Sequence, residues 1–174
     1  MNNTFGKPII PENEEGRIKD LNSYVTLDGY PDKYFNEIAK IIAQSFGMPI
    51  ALISLVGNEY VEFKGNFGME GTNRADRGVS LCSLAVLDPQ PTIFNDALQE
   101  PCLLSNPLVT GSFGLRFYAG VPLTTAEGYN IGSVCVVDQK VRSFSDNDVA
   151  LLTRFANNVM EELENRRIKK ASTE

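Results

Sequence analysis

The sequence predicts an α+β fold, with one antiparallel sheet and a helix packed near each end of the chain. Three observations carry this. Residues 31–46 and 145–167 space their apolar side chains three and four apart, the period of an amphipathic helix. Between them lie two pairs of strand-forming runs, each pair joined by a short polar turn. Turns that short cannot carry a parallel crossover, which takes a dozen or more residues, so the paired runs are antiparallel.

Taken in order, Met1 to Glu15 is polar and contains Pro8 and Pro11, which predicts an extended, loosely held arm. Ile18, Leu21 and Tyr24 recur every third residue and suit a short helix laid on the domain. Pro31 to Phe46 is the first long helix, with Phe35, Ile38, Ile41, Ile42 and Phe46 along one side and Gly47 placed to end it. Pro49 to Val56 is a run of strand formers, Gly57-Asn58-Glu59 turns the chain, and Tyr60 to Lys64 alternates. Gly65 to Gly78 holds four glycines and little periodicity, which predicts a loop. It contains neither GxxxxGK[ST] nor GxGxxG, so no phosphate cradle is indicated.

Val79 to Leu87 suits a short helix around Cys82, and Thr92-Ile93-Phe94 a small edge strand. Asp96 to Thr110, interrupted by Pro101 and Pro107, is loop with at most one helical turn. Leu115 to Leu123 and Tyr129 to Val137 form the second strand pair. Ser145 caps the last helix, with Asp148 in the reciprocal position of a capping box. Its stripe of Val149, Leu152, Phe155, Ala156, Val159 and Leu163 carries the helix to about Arg167. The expected organisation is an arm over 1–15, a domain over 16–168 and a tail over 169–174.

Composition narrows the chemistry. A chain of 174 residues that is 43% hydrophobic can build one substantial core. The formal charge of -6 disfavours sequence-independent contact with phosphate backbones or anionic membranes. The basic cluster Arg166, Arg167, Lys169 and Lys170 is accounted for by the favourable placement of cations at a helix C-terminus. There is no histidine, so the side chain most used near neutral pH as base or metal ligand is missing. Cys82, Cys102 and Cys135 form no CxxC pair and suit a reducing cytoplasm better than a disulfide framework or a zinc knuckle. Without a histidine to acidify them, Cys82 and Cys135 read as small buried hydrophobes, and Cys102, in a loop, as the exposed thiol. No apolar run approaches the length of a membrane span.

An ordered series of motifs then resembles the GAF domain family, in the subgroup found in bacterial sensory histidine kinases and cyclic-dinucleotide signalling proteins. The series runs Phe46-Gly47-Met48-Pro49 into the first strand, then Phe63-Lys64-Gly65, Ser80-Leu81-Cys82 and Asn95-Asp96-Ala97. It continues through Asn106-Pro107-Leu108-Val109-Thr110-Gly111, Arg116 to Leu123, Gly132 to Asp138 and Phe144-Ser145. It covers roughly Leu21 to Glu164. The resemblance implies a PAS-related, six-stranded antiparallel sheet, with terminal helices on one face and loops over a pocket on the other. It also implies a homodimer formed through the terminal helices, which pass a signal to an output domain if this chain is a fragment of a longer protein.

The resemblance implies a pocket bounded by Ser80, Cys82 and Asp96, with Asn106, Arg116 and Tyr118 at frequently polar positions. A guanidinium at Arg116 would fork onto a carboxylate or phosphate, and strand alternation puts Tyr118 on the same side. The structural reading stands beside it: Arg116 ties down a loop through Asp96 or Glu100, Asn106 caps the turn at Pro107, and Tyr118 closes a core edge. The chain departs from the family where Cys102 and Leu103 replace an arginine and an aromatic, and where Leu81 replaces a phenylalanine.

The function expected is a cytoplasmic, non-enzymatic sensory domain for an unidentified small ligand, with no cofactor or metal named, no nucleic acid bound and no membrane insertion. Two alternatives stay open. One is an interaction domain with a filled cavity. The other is a thiol enzyme similar to the single-domain reductases of free methionine sulfoxide, whose glycine-rich cysteine surroundings are missing here.

Overall fold

In the computed structural model, which describes residues 1–25 and 32–174, the two expected hairpins meet at the centre of one sheet. The first hairpin is β1 (Ile50–Val56) with β2 (Tyr60–Phe67), and the second is β5 (Phe117–Thr124) with β6 (Asn130–Asp138). They join through β1 and β6, with Ile50 opposite Val137 and Leu55 opposite Gly132. Short edge strands β3 (Arg74–Asp76) and β4 (Thr92–Phe94) complete the order β3-β2-β1-β6-β5-β4, every neighbour antiparallel.

Strand alternation divides the buried residues between two faces. On one face Ala51, Ile53, Leu55, Phe117, Ala119, Val121, Val134 and Val136 form a core with three helices. These are α1 (Glu14–Val25), α2 (Lys33–Phe46) and α5 (Asp146–Thr173). The sequence order explains α2 well. Asp32 accepts the Phe35 amide as N-cap, the stripe buries Phe35, Ala39, Ile42 and Ala43, and Gly47 closes the helix at φ 61°. The expected start at Pro31 lies outside the described residues. In α5 the Ser145 and Asp148 side chains and backbones exchange both hydrogen bonds of a capping box.

On the other face Ile50, Leu52, Val61, Phe63, Tyr118, Cys135 and Val137 meet loops, α3 (Cys82–Ala85) and α4 (Pro107–Thr110). Two 3₁₀ turns, Ala97–Gln99 and Pro101–Leu103, lie between β4 and α4.

Three expectations need correction. The segment expected as a loop from Gly65 supplies the end of β2 and all of β3. Gly65 pairs with Ile53 at a register shift, and any Cβ there would sit 2.5 Å from the Phe35 carbonyl oxygen of α2, so close helix approach demands glycine. Residues 1–15 are anchored instead of loose: Phe5 and Ile9 are buried, and the Thr4 amide donates to Gly78 O at 2.9 Å. Residues 169–173, expected as tail, continue α5. Its terminal basic residues are engaged, Arg166 with Asp32 at 2.6 Å and Glu162 at 2.8 Å, and Arg167 with Glu164. Among the described residues no helix is long and apolar enough to cross a membrane.

Candidate functional site

The loop-covered face encloses a cavity of about 140 Å³. Its floor is the sheet, through Leu52 of β1, Phe63 of β2, Tyr118 of β5, and Cys135 and Val137 of β6. Its walls come from Met69, Thr72 and Ala75 around β3, from Ser80, Leu81 and Cys82 at α3, and from Leu108, Phe113 and Leu115 beyond α4. The lining is overwhelmingly apolar and carries no formal charge outside its thiols.

A small buried polar cluster adjoins the thiol end of the floor. The Ser54 and Ser133 hydroxyls lie 3.0 Å apart across β1 and β6, both fully buried. The Cys82 and Cys135 sulfurs are 3.9 Å apart. Beside them the Tyr118 hydroxyl is buried, close to Cys82, Cys135 and Ser133 but without a hydrogen bond of regular geometry. Gly120 makes room for that ring, since a Cβ there would stand 2.5 Å from the Tyr118 oxygen. Tyr118 also faces Phe94 of the edge strand, with ring centroids 6.3 Å apart.

The thiols are not equivalent. A hydrogen bond from Cys135 draws the Cys82 thiol down to about 6, against the opposing effect of burial, and the Ser133 and Ser54 hydroxyls add to the lowering. The same bond, now to the protonated form, pushes Cys135 well above its ordinary value, with burial acting in the same direction. Burial first, and then the charge on Cys82, also raises the Tyr118 phenol. Both sulfurs are buried in the loop-face core, as expected, and they stand together there. Cys102 is half-buried, away from the cavity lining.

Of the six residues singled out from sequence, Ser80, Cys82 and Tyr118 line the cavity, and Asp96, Asn106 and Arg116 do not. Arg116 precedes β5, and its guanidinium donates to the carbonyls of Val109 at 3.0 Å and Leu115 at 2.8 Å. Asn106 is fully buried. Its amide nitrogen donates to Thr4 Oγ1 at 3.0 Å and Val79 O at 2.8 Å, while its oxygen accepts the Leu108 amide at 3.0 Å. One side chain thus ties the arm, the approach to α3 and α4 together. Asp96 accepts the Leu98 amide at 3.1 Å and caps a 3₁₀ turn.

Sequence reading missed Cys135 as a cavity residue, the paired serines, and a buried ionic cluster beyond the cavity. In that cluster Glu14 of α1 accepts from both Arg17 and Arg77. Arg17 also donates to Val56 O at 2.7 Å, and Arg77 to Gly57 O at 3.0 Å. The members are separated by up to 63 residues in the chain, so no local pattern announces them.

With the geometry described, similarity to known proteins has something to explain. Residues 31–163 match the GAF domain. Over 154 residues, 88% of this chain, the sequence is 37% identical to a cyclic di-GMP phosphodiesterase of Pseudomonas aeruginosa; the chain spans 26% of that relative's length. The GAF domain of a phosphoenolpyruvate-protein phosphotransferase from Coxiella burnetii superposes with a TM-score of 0.66 at 15% identity, covering 92% of this chain and 99% of that one. A free methionine-R-sulfoxide reductase from Neisseria meningitidis, solved with its substrate, gives a TM-score of 0.64 at 18% identity, with 86% and 89% covered. These two likenesses are of fold. The expectation that the chain is not an enzyme is overturned here, because the relative it matches at 37% identity is itself an enzyme. The chain belongs to the GAF domain family and is related to its sensor and signalling members.

Proposed function

We propose that this GAF domain is a sensory or regulatory module of the cytoplasm whose cavity takes a small, neutral, largely apolar molecule. The observation that supports this is the Tyr118 hydroxyl, buried at an otherwise apolar cavity without a hydrogen bond of regular geometry, with Gly120 leaving it space. A buried hydroxyl without a partner costs roughly 1–3 kcal/mol, and a ligand bearing one hydrogen-bonding atom relieves that cost. Cavity size sets the ligand class. An apolar cavity of about 150 Å³ holds a single benzene ring, whereas drug-sized ligands need about 300 Å³ or more. A cyclic dinucleotide exceeds this space, and the zwitterion of an amino acid finds no charged partner in its lining.

In this reading Tyr118, Ser80 and Cys82 contact the ligand, while Asn106, Asp96 and Arg116 hold the surrounding loops. The signal leaves through the sheet. β5 presents Tyr118 to the cavity and its neighbours Phe117 and Ala119 to the helix face, where α5 packs. A shift of β5 on ligand entry is therefore felt by α5, and a homodimer paired through α1 and α5 would carry it to an output domain.

Phenol and cyclohexanol are suitable probes, compared with methionine sulfoxide and cyclic di-GMP. The neutral probes are expected to raise the Tm of the wild-type chain and to lose that effect in Phe63→Trp, which fills the cavity. Stabilisation by the charged compounds alone would defeat the reading.

A further inference from the structure

The Cys82–Cys135 pair has a geometry that ligand binding does not explain. Their sulfurs face one another at 3.9 Å, about twice the length of a disulfide bond, on two different elements, α3 and β6. Both line the cavity, so a molecule that enters reaches sulfur without unfolding the sheet. α3 is a single short turn between loops, and an element of that kind can move toward a central strand more readily than the strand can move. The third cysteine, Cys102, lies off the cavity and is not part of the pair.

We propose that Cys82 and Cys135 form a peroxide-reactive dithiol, with Cys82 attacking and Cys135 resolving, so that the cavity floor is a reversible redox site. In the first step the Cys82 thiolate sulfur attacks one oxygen of a small peroxide. An S–O bond forms, the O–O bond breaks, and the leaving oxygen takes a proton to depart as water or an alcohol. In the second step the Cys135 sulfur attacks the Cys82 sulfenic acid. The S–S bond forms, the S–O bond breaks, and hydroxide leaves with the Cys135 proton as water. The two sulfurs together lose two electrons, and the peroxide gains two. A thiol reductant reverses the change.

Three features favour this chemistry. Cys82 is the more acidic thiol of the pair; once it is a sulfenic acid, the hydrogen bond and charge that hold the Cys135 proton are gone, and Cys135 gives that proton to the departing hydroxide as it attacks. The Ser54 and Ser133 hydroxyls stand close by as donors to an oxygen leaving sulfur. The cavity of about 140 Å³ admits hydrogen peroxide or a small organic peroxide and excludes a tripeptide disulfide such as oxidised glutathione, which selects the oxidant by size. Closing the S–S bond draws α3 toward β6 and narrows the ligand space. Oxidation state and ligand occupancy are thereby coupled, although the dithiol chemistry itself stands without the ligand.

The test uses the full chain carrying Cys102→Ser, reduced and then exposed to hydrogen peroxide, oxidised glutathione or methionine sulfoxide in separate samples. With peroxide the intact mass is expected to fall by about 2 Da, the count of alkylatable thiols in denaturant to drop from two to none, and a peptide joining Cys82 to Cys135 to appear. Dimedone is expected to label Cys82 in Cys135→Ser and to label nothing in Cys82→Ser. The rate should fall below about pH 6 as Cys82 protonates, with Cys135 and Tyr118 the titratable groups facing it. Two alkylatable thiols surviving peroxide, labelling at Cys135 in place of Cys82, or oxidation by glutathione disulfide at the peroxide rate would overturn the proposal. Oxidation by methionine sulfoxide at that rate would overturn the peroxide assignment. Phenol binding by the reduced chain is read separately by its Tm, so failure of the redox proposal and failure of the ligand proposal give different results.

Discussion

The two faces of the sheet solve the burial problem differently. On the helix face α1, α2 and α5 lay continuous apolar stripes onto Ile53, Leu55, Phe117 and Val134, and the core is filled by side chains. On the loop face short elements and the N-terminal arm span the strands, and two thiols and a buried phenol border a void, with the paired serines beside the thiols. Long helices supply enough regular surface to fill space by themselves, whereas loops must be pinned one hydrogen bond at a time. Asn106, holding Thr4, Val79 and Leu108 with one amide group, is such a pin. Stability is therefore concentrated on one face, and chemistry on the other.

Truncating an equivalent aromatic on each side tests that contrast most severely. Phe35 is fully buried between α2 and the sheet, and Phe35→Ala should cost about 3–5 kcal/mol because the filled core leaves a new cavity behind. Phe63→Ala on the cavity floor should cost about 1–2 kcal/mol less, since its neighbours already border a void and lose fewer contacts. Urea unfolding of both variants reads the difference. Equal costs would mean that the loop face is packed as tightly as the helix face.

The next effect belongs to the seam between the faces. Glu14 begins α1, Arg17 follows one turn later, and Arg77 enters from the segment leading to α3, so three charges join the helix layer to the loop layer around the first hairpin. Burial raises the Glu14 carboxyl, but hydrogen bonds and charge from Arg17 and then Arg77 outweigh it and hold the group down at about 2, against an ordinary 4.5. A carboxyl depressed on folding stabilises the native state above its unfolded value and loses that contribution as pH falls through the folded one. On the order of 3 kcal/mol should thus disappear between about pH 4.5 and pH 2. Glu14→Gln should be destabilised at pH 7 and should converge on the wild type at the acid end. Urea midpoints for both chains across that range check it, and parallel curves would remove Glu14 from the seam.

The same division decides what could be read in the sequence. The helix face was legible because its signals are local: the spacing of Phe35, Ile38 and Ile42, Gly47 at a helix end, and Ser145 with Asp148 as reciprocal caps. Both hairpins followed from short turns between strand formers. The edge strand Arg74–Asp76 was not legible, since it has no alternating apolar face and is held by three pairings with β2 and by Arg74 stacked 4.1 Å from the Tyr60 ring centre. The cavity was half legible. Strand alternation put Tyr118 on the floor, but it also grouped Arg116 with it, and β5 begins only at Phe117. Arg116 precedes the strand, its amide donating to Asp138 O at 3.0 Å, and nearby carbonyls capture its guanidinium. Cys82 and Cys135 are 53 residues apart, and only the completed sheet shows that they meet.

The smallest expected change in stability bears most directly on what the loop face is for. Tyr118→Phe removes one oxygen and nothing else from the cavity floor. On the helix side of the molecule a buried tyrosine hydroxyl has a partner, as Tyr24 does in Glu164 at 2.7 Å, and deleting it leaves an acceptor with one bond fewer. Tyr118 makes no hydrogen bond of that quality, only weaker contacts with the thiols and Ser133, so its deletion costs little and removes a desolvated group. The variant should match the wild type within about 1 kcal/mol or exceed it. Its response to phenol should fall at the same time, because the hydroxyl is the polar contact proposed for the ligand. Urea unfolding gives the first quantity and the phenol-induced rise in Tm the second. A loss of more than about 2 kcal/mol would assign the hydroxyl a structural bond. Unchanged stability with an undiminished phenol response would leave the cavity as packing space without recognition.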